Sequence, residues 1–403
     1  MRRGGTIRVI AYVAAAMCSA VVSYRLVLQA VDDFQLDLAV FRDAGAAFLA
    51  GAPLYSADFP TSTGFRFIYP PFAAVLFAPM AHVSADVLQV LWAVVNIAAV
   101  WWILRTALHR LNFGKPGRVA LLVLGPALLL EPVRANFAFG QINIMLMALV
   151  VADSLRAAPR RLRGAFIGLA AAIKLTPAGY ALVLLARRDR TAVLTAAATF
   201  LVCAAVGFAL LPRSSLYFWA TEFFRDDRAG GHEFSRNQAL TGPLARMGVE
   251  GPVKDVLWLT AAAAIAAGAY WAARRFAHNG EHVVSLGVVA VALLLAAPFA
   301  VNHHWVGCIL LVPLLLAARY RAWRPLLATA FAVFLVGPHT ALEHVASAPP
   351  WQVIALHVVG NAQFLCAGSL FIGALIVARR RGADRPAGYA AANPRALADA
   401  DAR

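Results

Sequence analysis

Long apolar runs recur along this chain at short intervals, and nearly every second gap between them carries a cluster of arginines. That alternation constrains the fold more than any other feature. A run of about 20 apolar residues matches the hydrocarbon core of a bilayer, and Lys/Arg-rich loops collect on its cytoplasmic side. Of the 403 residues, 61% are hydrophobic and only 14% charged, against roughly 45–50% and about 25% in a soluble domain. One buried core cannot hold that much apolar surface. The chain is an all-α integral membrane protein; a soluble enzyme, a disordered chain and a secreted disulfide scaffold are excluded.

The apolar runs lie near residues 9–30, 87–107, 119–130, 142–153, 165–173, 179–186, 191–211, 256–273, 283–300, 306–317, 326–336 and 354–378. Counted as membrane crossings they predict a bundle of about twelve helices. Those around 119–131 and 165–186 are short, and Ile173-Lys174-Leu175-Thr176-Pro177 interrupts one of them. Such breaks predict re-entrant or discontinuous helices lining a protein cavity, where irregular backbone is tolerated. The first run follows Met1-Arg2-Arg3, and Ala14-Ala15-Ala16 has the look of a signal-peptide end. The spans downstream predict an uncleaved helix instead.

The arginines set an orientation. One side collects Arg105, Arg110, Lys115 and Arg118, then Arg156, Arg160, Arg161 and Arg163, then Arg187, Arg188 and Arg190. Arg274, Arg275, Arg319, Arg321, Arg324 and Arg379 to Arg381 fall there too. This predicts a multi-pass plasma-membrane protein with both termini cytoplasmic. The net charge of +16 thus belongs to loops and does not point to nucleic acid. The other side holds nearly all the acids and two long loops, 31–71 and 212–253. Residues 1–381 read as one transmembrane domain and 382–403 as a disordered cytoplasmic tail. Cys18, Cys203, Cys308 and Cys366 sit in apolar stretches without metal-type spacing, so neither a disulfide nor a metal is expected.

Ionisable groups at a membrane edge are candidates for function because leaving them unpaired near lipid is costly. Four outward clusters qualify. Asp37-Leu38-Ala39-Val40-Phe41-Arg42-Asp43 follows the first span. Were the segment helical, Asp33 and Asp37 would share a face at i,i+4 spacing, and repulsion would raise one carboxylate's proton affinity, as a general base needs. Phe67-Ile68-Tyr69-Pro70-Pro71-Phe72 is aromatic and proline-rich, and an interfacial aromatic belt is its bland explanation. Arg134-Ala135-Asn136, Gly140-Gln141-Ile142-Asn143 and Lys174 form the third set; snorkelling explains an edge lysine equally well. Asn302-His303-His304-Trp305 is the fourth. Its paired imidazoles suit phosphate contact or proton handling, and no further ligands at zinc spacing accompany them.

In this order, Asp37-Leu38-Ala39-Val40-Phe41-Arg42, Tyr69-Pro70-Pro71, Gly140-Gln141-Ile142-Asn143, Gly168 to Pro177, Asn237-Gln238 and His303-His304-Trp305 resemble glycosyltransferase family 87 of the GT-C superfamily. The resemblance covers roughly residues 30–320. The best-known members of that family are polyprenol-phosphate-mannose-dependent α-1,2-mannosyltransferases that extend phosphatidylinositol mannosides. Phe41 stands where the family often has Tyr, and Ala300-Val301 where it often has Ser-Trp, which leaves the acceptor open.

The resemblance implies a GT-C-like bundle that moves a sugar from a polyprenyl-phosphate carrier to a glycolipid or polysaccharide acceptor outside the cytoplasm. It implies Asp37 as the base of an inverting transfer, with Asp58 the second choice. His303, His304, Lys174 and Arg134 would face the leaving phosphate, and Gln141, Asn143, Asn237 and Tyr69 the sugar. No cofactor is implied. Mannose is the expected sugar; arabinofuranosyl transfer from decaprenyl-phosphate-arabinose is the alternative within the fold. A secondary transporter is the alternative outside it, although transporters show related halves with a midplane site, and the two halves here do not match.

Overall fold

The computed structural model describes residues 2–225 and 230–383, and every regular element among them is helical. Of the expected tail, 384–403 lies outside the described residues. Five helices are long and apolar enough to cross a membrane: Ile10–Asp32, Ala85–Arg110, Arg190–Leu210, Gly251–His278 and Ala362–Arg380. A sixth crossing arises if Asn302–Leu316 and Ala318–Val336, bent by 110°, form one broken span. The count of about twelve crossings is therefore not reached among the described residues. The physical reason is length: the remaining apolar runs fold as shorter pieces, such as Asn143–Ser154 and His282–Ala296.

The chain opens with α1 (Arg2–Asp32) and breaks at Asp33-Phe34-Gln35 before α2 (Leu36–Leu49). Gln35 enforces the break. It is buried, and its Nε2 donates to Phe137 O at 3.1 Å. α2 is amphipathic, burying Leu38, Phe41, Ala44 and Gly45 at helical spacing. An irregular stretch leads through Pro70 to α3 (Pro71–Phe77), with Pro71 at the first helical position. Phe41 stacks on Phe77 at 4.8 Å and meets the edge of Tyr69 at 5.2 Å. This aromatic knot fixes the first long loop onto the bundle.

α4 (Ala85–Arg110) is followed by three short helices, α5 (Pro116–Leu122), α6 (Leu124–Leu128) and α7 (Glu131–Phe139). Gly125-Pro126 and Glu131-Pro132 divide what reads as one apolar run, because proline removes a helical donor and crowds the preceding turn. α8 (Asn143–Ser154) and α9 (Ala165–Ile173) then run side by side. α9 stops where the sequence expects a break: Lys174 is extended (φ −146°, ψ 126°), and Thr176–Tyr180 is a 3-10 turn. α10 (Ala181–Ala186) and α11 (Arg190–Leu210) follow.

The second long loop holds α12 (Pro212–Ala220) and α13 (Thr241–Arg246). It lies against the first, with Tyr55 5.5 Å from Phe218 and its hydroxyl donating to Tyr69 O at 2.6 Å. α14 (Gly251–His278) and α15 (His282–Ala296) form a long antiparallel pair. A 3-10 segment, Asn302–Leu310, carries the histidine pair into α16 (Leu311–Leu316). α17 (Arg324–Val336), α18 (Pro350–Gly360) and α19 (Ala362–Ala383) complete the described chain.

Candidate active site

Asp37 sits in the first turn of α2, where the helix dipole favours an anion. Asp37 is half-buried, and Gln141 hydrogen-bonds to its carboxyl. Burial lifts its pKa to about 6, while the Gln141 bond and the charge of Lys174 restrain the rise. The expected cause was different. Asp33 lies in the break outside α2 and is exposed, so the like-charge pair predicted at i,i+4 does not form; desolvation replaces it.

Gln141 reaches Asp37 because of Gly140. That glycine ends α7 with φ +66°, and a Cβ there would stand 2.6 Å from Leu38 Cβ and 3.0 Å from Gln35 Cβ. Only a residue without a side chain permits this approach of α7 to α2. Asn136 Nδ2 donates to Gln141 O at 2.9 Å. The Tyr69 hydroxyl lies 3.3 Å from Oε1 and 3.2 Å from Nε2 of Gln141. Tyr69 is buried, and burial together with the Asp37 charge pushes its pKa up, so it remains a neutral phenol.

Lys174 enters from the broken end of α9. Its Nζ donates to Asn143 Oδ1 at 2.9 Å, lies 3.3 Å from His304 Nε2, and stands 5.3 Å from the Tyr69 ring centroid. An ammonium has only donors, so His304 receives it at an unprotonated Nε2. Burial lowers the Lys174 pKa to about 8, with the Asp37 charge pulling the other way. Asn143 also donates through Nδ2 to His303 O at 3.0 Å. Asn302 anchors the same segment by donating to Glu131, which receives Gln363 as well at 3.2 Å. His303 packs on Phe139 at 5.5 Å and on His304 at 4.9 Å, and its Nδ1 has no hydrogen-bond partner among the described residues.

Six proposed site residues outside α2 therefore gather around Asp37: Tyr69, Gln141, Asn143, Lys174, His303 and His304. Three others do not. Asp58 is exposed on the first loop. Arg134, expected at the donor phosphate, is exposed and donates to Leu335 O at 3.1 Å, tying α7 to α17. Asn237 is fully buried with its amide already satisfied. It donates to His232 O at 2.9 Å and Thr241 Oγ1 at 3.2 Å, and accepts from Ala239 N at 3.2 Å and Ala300 N at 3.1 Å. That leaves nothing for a sugar hydroxyl; Asn237 clips the second loop to the irregular segment before the histidines.

Its neighbour supplies what the sequence reading missed. Arg236 lies 5.5 Å over the Phe139 ring, and its charge bears on His303. The signal was the position of Arg236 directly before Asn237-Gln238, masked by the attention those amides draw. Beside Lys174 and His304 opens a small, mostly apolar groove, lined by Met147, Tyr180, Leu293 and Val306 with Asn143 and Thr176 at its polar edge. Among the described residues, no three His, Cys, Asp or Glu side chains come together as metal ligands.

A half-buried carboxylate and a lysine, gathered with polar side chains in a helical chain that has five potential membrane crossings, mark a membrane protein with a polar site. The chain belongs to glycosyltransferase family 87, whose sequence profile matches residues 67–298. It is 35% identical over 311 residues, 72% of this chain and 71% of the relative, to a polyprenol-phosphate-mannose-dependent alpha-(1-2)-phosphatidylinositol mannoside mannosyltransferase of Mycobacterium tuberculosis. The Mycolicibacterium smegmatis enzyme of the same name is 37% identical over 355 residues, 80% of each chain. A pentamannoside mannosyltransferase of M. smegmatis is 31% identical over 290 residues, 70% of this chain and 68% of the relative. No solved structure gives a significant match. Family membership makes the chain a glycosyltransferase and removes the transporter reading.

Proposed function

We propose that this protein transfers mannose from polyprenyl-phosphate-mannose to a phosphatidylinositol mannoside or lipomannan-type acceptor, on the extracytoplasmic side of the plasma membrane. The names of the relatives support the sugar and the acceptor. The clustering of arginines at the end of the bundle away from Asp37 supports the side, with both termini cytoplasmic. Within the GT-C-like fold, Asp37 is the single general base. The acceptor hydroxyl gives its proton to the carboxylate as its oxygen bonds to the sugar's anomeric carbon. The bond from that carbon to the phosphate oxygen breaks, and the lipid phosphate leaves with the electron pair. Attack opposite a β-linked phosphate yields an α product, so the transfer is inverting.

The observation that carries this reading is the Asp37–Lys174 relationship: one acid poised to ionise near neutral pH and one cation held near it. Lys174 and Arg236 offer fixed positive charge, and the neutral imidazoles of His303 and His304 an N–H donor each, to the departing phosphate. The groove beside Lys174 and His304 is mostly apolar and suits the first isoprene units of the carrier. Gln141 and Tyr69 orient the base, and Asn143 holds Lys174 against the histidine segment.

Transfer by the purified protein tests the reading, with labelled polyprenyl-phosphate-mannose or decaprenyl-phosphate-arabinose offered alongside a phosphatidylinositol mannoside. Label from the mannose donor is expected in an α-linked product by NMR. Transfer from the arabinose donor alone, or a β-linked mannoside, contradicts it.

A further inference from the structure

The helices that bring Asn143 and Lys174 to the Asp37 end carry a second polar cluster at their other end. α8 starts at Asn143 and stops at Ser154; α9 starts at Ala165 and stops before Lys174. Twelve residues of α8 at about 1.5 Å each separate the two ends by about 18 Å. At the far end, Arg110 closes α4, Arg156 follows α8, Arg163 precedes α9, Arg187 follows α10 and His282 opens α15. Arg110 Nη2 donates to Arg156 O at 2.9 Å. The charges of Arg110, Arg156, Arg163 and Arg187 bear on one another, and three of them on His282.

The nearby carboxylates Asp153, Asp189 and Glu281 each bond a group outside these five residues. Asp153 Oδ2 accepts from Ile167 N at 2.8 Å at the start of α9, and Asp189 Oδ1 accepts from Ala192 N at 3.1 Å, capping α11. Glu281 pairs with Arg319 at 3.0 Å. Meanwhile Nε of Arg156, Arg163 and Arg187, Nη2 of Arg187 and Nδ1 of His282 are buried without a hydrogen-bond partner among the described residues. Buried donors without acceptors are costly, and guanidinium groups crowded together repel. A pocket of about 410 Å³ opens beside this cluster, with Arg110, Asn112, Glu281, His282, Arg319 and Tyr320 in its wall; Arg156, Arg163 and Arg187 stand behind Arg110 and His282, outside the lining. Planar guanidinium forks match phosphate oxygens.

We propose that Arg110, Arg156, Arg163, Arg187 and His282 form a phosphate-binding site at the end of the bundle opposite Asp37, separate from the transfer site. The ligand is a phosphate-bearing anion, either the headgroup of an acidic lipid or a small free phosphate compound. On the topology proposed above, the site faces the cytoplasmic leaflet. Bound there, the anion supplies acceptors to the unpartnered donors and relieves the repulsion between the cations, so it stabilises the folded chain.

The test uses the full chain in phosphatidylcholine nanodiscs. Unfolding midpoint and binding by native mass spectrometry are followed as inorganic phosphate or dihexanoyl phosphatidic acid is added at constant ionic strength. A saturable rise in midpoint is expected, with apparent affinity reduced about tenfold or more in Arg156→Gln and Arg163→Gln, the loss expected when charge-assisted bonds are removed. Mannosyl transfer by Arg163→Gln should stay at the parent rate. If Arg156→Gln fails to insert, Arg163→Gln and His282→Gln carry the same comparison. Response to the lipid at concentrations where inorganic phosphate does nothing assigns a headgroup; equal response assigns a free phosphate compound. No shift with either, or an undiminished shift in the folded variants, overturns the proposal.

Discussion

Lys174 donates to Oδ1 of Asn143 across 2.9 Å, and that contact joins the broken end of α9 to the first residue of α8. Asn143 then passes the connection on through its bond to the His303 backbone. Three remote parts of the chain thereby share one polar centre. Asn143→Leu keeps the volume but removes both bonds. It should leave the protein inserted and monodisperse while lowering kcat/KM for the lipid donor by about 10- to 100-fold, the range for losing a hydrogen bond to a charged group. A change below about twofold would make the bridge a packing contact only.

The pH profile follows from two shifts of known sign. Asp37 must be ionised to accept a proton, so activity falls as pH drops through about 6. Lys174 must be charged to meet the phosphate, so activity falls again as pH rises through about 8. A bell-shaped kcat/KM between those values is expected. Lys174→Gln should remove the alkaline limb and move the acid limb above that of the parent, because the cation that lowers the Asp37 pKa is gone. Folding responds in the opposite sense at Asp37: its raised pKa makes the native state relatively more stable as pH falls through about 6 toward the ordinary 3.8. An acid limb near about 4, the ordinary carboxylate range, would contradict burial as the controlling factor.

Arg236 was placed at the site by the fold, not by any motif. Arg236→Gln should raise KM for the lipid-phosphate donor about tenfold with a smaller effect on kcat, since the residue approaches through Phe139 and His303. Initial-rate kinetics with the donor varied decide it. An unchanged KM would make Arg236 a surface cation.

Gly140→Ala tests the approach of α7 to α2. With φ +66° and Leu38 Cβ only 2.6 Å from the added methyl, α7 has to withdraw and take Gln141 with it. A fall of about 2 kcal/mol or more in stability is expected from strain of this kind, read as reduced thermal stability of the purified protein together with lost transfer. A variant of parental stability would show that the loop adjusts freely.

Much of this was legible in the sequence, and the reasons for the rest are physical. A charged or amide side chain among apolar residues is conspicuous, so Asp37, Gln141, Asn143, Lys174 and the histidine pair could be picked out one by one. Their meeting could not be read, because Lys174 and His304 lie 130 residues apart and only tertiary packing brings them together. The Asp33–Asp37 pairing failed because Gln35, a polar residue with no visible periodic role, is buried on Phe137 O and ends α1. Asn237 and Arg134 have residue types suited to ligands, yet the Asn237 amide is filled by protein partners, Ala300 N among them, and exposed Arg134 reaches Leu335 O. The expected number of crossings is not reached among the described residues because apolar composition does not report length after proline and glycine have cut a run into pieces.

The central claim is that Asp37 withdraws the acceptor's proton. Asp43 is the matched control on the same helix: it accepts from Ser62 N at 2.7 Å and Ser62 Oγ at 2.8 Å and so belongs to the loop. Single-turnover mannosyl transfer by Asp37→Asn and Asp43→Asn, at equal levels of folded protein, measures the claim most directly. A loss of about 1,000-fold or more at Asp37, of the order expected for a general base, with most activity kept at Asp43, is the predicted result. Near-parental turnover by Asp37→Asn would contradict the account.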